Sequence, residues 1–76
     1  MGIKETRKAI ENLVSKRGYR AVRIWGLASG YHPEIDPAYA ISGLKMHLEL
    51  FSAEFRQEAQ ELIKDIENVL RNPPLP

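Results

Sequence analysis

Arg20-Ala21-Val22-Arg23-Ile24-Trp25-Gly26-Leu27 decides how the rest of this 76-residue sequence is read. Its β-branched and aromatic residues, between Gly18 and Gly30, predict a strand over 20–27. A strand needs a partner for its backbone N–H and C=O groups. Lys45-Met46-His47-Leu48-Glu49-Leu50-Phe51 alternates almost strictly, which makes 44–51 the one credible partner. A competing pattern runs through the same residues. Ile41, Leu44, Leu48, Phe51 and Phe55 recur at spacings of three and four, so residues 37–71 also read as one amphipathic rod, capped by Asp36 and opened by Pro37. Gly43 would cost such a rod about 1 kcal/mol. The unpaired strand at 20–27 decides for the hairpin.

Helices flank it. Ile10, Leu13 and Val14 give residues 4–17 a helical period, with Lys16 and Arg17 at the end where the helix dipole favours cations. From Ser52 to Arg71, Phe55, Ala59, Leu62, Ile63, Ile66, Val69 and Leu70 form one apolar stripe. The expected fold is therefore α+β in the order helix–strand–strand–helix. A single small domain fills residues 1–76, with a loop at 28–43 and a proline-rich tail at 72–76.

Composition sets outer limits. With 43% hydrophobic and 28% charged residues the chain has the balance of a globular domain, and the absence of Cys removes disulfides and thiolate metal sites. No apolar run approaches a membrane span, and Met1-Gly2-Ile3-Lys4-Glu5 lacks the apolar segment of a secretory signal, so a cytoplasmic protein is expected. The net charge of +1 hides a division. Residues 1–24 hold seven bases against two acids, and the remainder holds four against eight. Such halves complement one another, either within one fold or between two copies. The near-zero total argues against a nucleic-acid footprint, although Lys4, Lys8, Arg17, Arg20 and Arg23 with Trp25 supply the residue types for one.

On the proposed hairpin, Val22 and Ile24 with Leu44, Met46, Leu48 and Leu50 face the helices. The other face carries Arg23, Trp25, His47 and Phe51, an interface composition on a sheet too small to stand without further cover. These four residues are the expected contact surface of a homodimer or other homo-oligomer. His32, Glu34 and Asp36 alternate within the loop and, with His47, offer nitrogen and oxygen donors for a divalent ion such as zinc. The competing view is a polar surface loop in which Asp36 caps the turn at Pro37. Serines without a sequence-fixed partner, and a Gly26-to-Gly30 segment lacking the lysine of a phosphate loop, give no catalytic constellation, so no enzyme is expected.

The segments Arg20–Leu27, Leu44–Leu50 and Ile63–Leu70 together resemble the cytosolic C-terminal domain of cation diffusion facilitator (cation efflux) transporters. Those domains carry a strand of the type His-x-x-His-Ile-Trp-x-Leu, a second strand with an Ala-His-Leu-like centre, and a helix ending in Ile-Glu-x-x-Leu. Arg20 and Arg23 stand where that family carries histidines, and 31–43 reads as an insertion. The resemblance implies a ferredoxin-like, metallochaperone-like fold lacking its last strand. It also implies a free-standing or truncated relative that dimerises, responds to divalent metal and works beside a membrane transporter. The alternative functions are a metal-free protein-interaction or scaffolding domain and, less favoured, a small nucleic-acid-binding protein.

Overall fold

The computed structural model describes residues 3–32 and 34–73, with side chains from Lys4 onward; Met1-Gly2, Pro33 and the end of the proline-rich tail lie outside the described residues. The described residues form four α-helices, α1 (Ile3–Arg17), α2 (Tyr19–Ser29), α3 (Pro37–Met46) and α4 (Ala53–Arg71), with a 3-10 turn at Leu48–Leu50. Among the described residues there is no strand. The outer helices follow the sequence reading closely. The middle does not.

Residues 20–27 belong to α2, and Val22 shows why. A strand would have put Val22 and Ile24 on the same face. Instead Ala21 and Ile24, three apart, are fully buried, and Val22 is 48% exposed. Ala, Arg and Leu are all good helix formers, and only Val22 and Ile24 are β-branched, so local propensity does not resist the helix. Once this segment bonds to itself, it needs no partner strand. The reason for reading 44–51 as a strand then disappears.

That second segment is the end of α3, followed by the 3-10 turn and a bend. Leu44 is buried, Leu48 half-buried, and Met46 and Leu50 stand out in solvent. The loop expected over 28–43 is largely helical, being the end of α2 and most of α3. The single rod over 37–71 is not formed either, because the chain leaves the α-helix between His47 and Ser52. Its proposed start is nevertheless correct. Asp36 Oδ1 accepts the Ala38 N–H at 3.0 Å, with Pro37 in the first turn where its missing N–H costs nothing. The fold is thus all-α, and the α+β, ferredoxin-like architecture is overturned.

Glycines make the two sharp joints. Gly18 alone separates α1 from α2, at φ 111°, a value that side-chain-bearing residues avoid. Gly30 closes α2 in the left-handed region, φ 62°. There the Gly30 N–H bonds to Leu27 O and the Tyr31 N–H to Gly26 O, the paired bonds of a Schellman turn. Arg7 of α1 then holds the following loop through the Glu34 carbonyl.

α4 is the spine. It packs against each of the other three helices and the 3-10 turn. Ala59, Leu62, Ile63 and Ile66 meet Ile10 and Val14 of α1, Ala21 and Ile24 of α2, and Ile41 and Leu44 of α3 in a single core. Burying a side chain such as Leu62 or Ile66 contributes about 2 kcal/mol, so this small set carries most of the apolar driving force. No helix among the described residues is long and apolar enough to cross a membrane.

Candidate functional site

The charge division closes in part within the fold. Arg17, at the end of α1, forks onto three carboxylates along α4: Nε to Glu58 at 2.7 Å, an Nη to Glu61 at 2.8 Å, and the other Nη to Asp65 at 2.7 Å. Positions 58, 61 and 65 share one helix face, so one planar guanidinium reaches all three. The Glu58 and Glu61 hydrogen bonds raise the Arg17 pKa further, and the bond from Arg17 is the main cause that lowers the Glu61 carboxyl below its usual value. Arg20 reaches Glu54 at 3.3 Å, and Lys45 of α3 pairs with Glu67. Two of the seven front bases, Arg17 and Arg20, are thereby matched to acids of the back inside one molecule, and Lys45–Glu67 is a pair within the back itself.

Another surface left without a partner is apolar. α3 has hydrophobic residues on two sides. Pro37, Ala40, Ile41 and Leu44 face the core, while Tyr39 and Met46, a turn to either side of Ser42 and Gly43, face outward. With Leu27 from the end of α2 and Leu50 from the 3-10 turn, they line a groove of about 620 Å³. Leu27 is 60% exposed, Tyr39 71%, Met46 80% and Leu50 77%. Together they leave on the order of 500 Å² of apolar surface open, towards the upper end for the largest patch on a monomer. Nothing stands within 4 Å of where a Cβ on Gly43 would lie, so the groove is open at its middle. An α-helix with apolar residues all round is normally buried on all sides. This one is covered on one.

Of the four expected contact residues, His47 and Phe51 line the groove. The sheet face that was to unite them with Arg23 and Trp25 does not exist. Arg23 is exposed on α2 and donates to the Tyr19 hydroxyl at 2.6 Å. Trp25 is half-buried against the core and lines a second depression of about 200 Å³ with Arg7, Glu11, Ser29, Tyr31 and His32. That volume falls below the roughly 300 Å³ at which small-molecule sites begin. Tyr39 was missed, and Met46 and Leu50 were assigned to the core. Their signal was legible as helical spacing in Pro37–Met46, where Lys45 is the single charge.

The four proposed metal ligands are dispersed. His32 lines the smaller depression and His47 the larger groove. His47 Nδ1 lies 2.8 Å from Gly43 O, and Asp36 is engaged as the α3 cap. Among the described residues no group of three or more His, Cys, Asp and Glu is placed to hold a metal ion. No protein-family model matches the chain, and neither a curated protein nor a solved structure matches it. The likeness to cation efflux domains rested on strand motifs that are helical here, so its ferredoxin-like fold is corrected, and the cation efflux and zinc assignments are left without support.

Proposed function

We propose that this chain is a non-catalytic protein-interaction module that docks through the groove between α2, α3 and the 3-10 turn. The observation that carries this reading is the uncovered side of α3. Four large apolar side chains from three elements are held in one concave surface, where solvation costs free energy that a partner would recover. The residues that line it offer contact area and a small-residue centre rather than acid–base pairs, with His47 and Tyr39 as the titratable side chains. Pairing of Arg17 and Arg20 with α4 acids takes two of the five candidate phosphate-binding bases, which favours a protein surface over a nucleic-acid backbone as the object of binding. The cysteine-free sequence suits work in a reducing compartment such as the cytoplasm.

The test is titration of an environment-sensitive apolar dye at about 1 µM protein, a concentration at which weak partners are dissociated. The dye brightens on the folded wild type and much less on a Tyr39→Glu, Leu50→Gln double variant. Equal brightening on both, or none on either, refutes the groove as the docking face.

A further inference from the structure

We infer that the partner in this groove is a second copy of the same chain, placed antiparallel on α3 about a two-fold axis near Gly43; the inference rests on the docking role proposed above. In a two-fold contact a surface meets itself, so any fixed charge within it meets its own like. Here the lining has no lysine, arginine, aspartate or glutamate. At its edge Lys45 pairs with Glu67 of its own chain and Glu49 is exposed on the 3-10 turn, so these charges lie beside the lining rather than within it. A net charge of +1 adds almost no long-range repulsion between copies.

The shape is also self-complementary. Tyr39 lies four residues before Gly43 and Met46 three residues after it, so bulk stands on either side of a hollow. Two such ridges laid antiparallel interlock, with Met46 of each copy against Tyr39 of the other and the backbones closest at Gly43. The four exposed residues set a ceiling of about 500 Å² from each copy, roughly 1,000 Å² in total, which places the contact at or below the lower limit for a stable interface and among the weak, transient ones. A contact of that size is weak, with a dissociation constant on the order of 10–100 µM.

Sedimentation equilibrium of the whole chain, from about 1 µM to about 500 µM, tests this directly. The wild type should move from 8.7 kDa towards twice that mass. Tyr39→Glu should weaken association at least about 100-fold, yet leave the monomer folded, because an acid in the first turn of α3 suits the helix dipole. Leu50→Gln, at a residue 77% exposed, is the second groove variant should the first fold poorly. Val22→Glu, at an exposed apolar residue of α2 outside the groove, should dimerise as the wild type does.

A wild type that stays a single copy throughout overturns the inference, as does association that Val22→Glu abolishes or groove variants leave intact, and so does a mass beyond two copies. If the wild type remains single while the dye still distinguishes the groove variants, only the second copy falls and the docking role stands. If the dye result fails too, both fall.

Discussion

Replacing Arg17 with Met should cost about 1.5 kcal/mol of folding stability, because one side chain serves three carboxylates on α4. Methionine keeps much of the apolar stem, so the loss isolates the guanidinium. The Glu58 contact is the most sheltered of the three, with side-chain exposures of 23% and 20% on the two partners. It contributes about 1 kcal/mol after discount for the water that still reaches it. Asp65, at 43% exposure, adds about 0.5 kcal/mol, and Glu61, the most exposed of the three, adds less than either. For a domain of this size that sum lowers the Tm by about 9 °C. Urea unfolding of Arg17→Met, Glu58→Gln and the double variant gives the pairwise coupling. Arg17→Lys should recover less than half of the loss, since an ammonium cannot fork across three acceptors. A loss below about 0.5 kcal/mol for Arg17→Met, or an equal loss in the Glu58→Gln background, would refute the idea that this fork fastens α1 to α4.

Gly43→Ala should stabilise the monomer by about 1 kcal/mol, as a higher urea midpoint at low protein concentration, because the residue is helical and its Cβ enters open space. Asp36→Ala should cost about 1 kcal/mol by leaving the Ala38 N–H uncapped, and Asp36→Ser should restore most of it. Acid should weaken the fold. The Glu61 pKa is depressed from its ordinary 4.5 in the folded state, so its contribution is complete above that value and is lost as the pH falls through it towards the lower folded value. Urea midpoints measured between about pH 6 and about pH 3 should therefore decline, and Glu61→Gln should make the decline shallower.

The ends of the chain were legible and the middle was not, for one shared reason. In the last helix the stripe from Phe55 to Leu70 admits a single period, and the structure follows it from Ala53 to Arg71. In 20–27 and 44–51 the apolar residues satisfy periods of two and of three to four alike, so periodicity cannot choose. A strand at 20–27 demands a paired strand at 44–51, so the ambiguity of the first segment carries over to the second. Gly30 holds information that resolves it, since a glycine at that distance from Tyr19 is the usual terminator of an 11-residue helix. The groove was obscured by the same step. Met46 and Leu50, assigned to a sheet's inner face, are among the most exposed large apolar residues in the protein. Asp36 was legible in full, because the Asp-Pro pair states its purpose in local chemistry alone.

The position of the spine in chain order has a consequence for shortened chains. α4 follows the other three helices in the chain, yet it supplies Ala59, Leu62, Ile63 and Ile66, against which all three are assembled. Without α4, α1, α2 and α3 lack that shared surface, and each is too short to persist as an isolated helix. A chain cut off before Ala59 lacks the surface that joins the other helices, and is suited to chaperone capture rather than to a partly finished bundle.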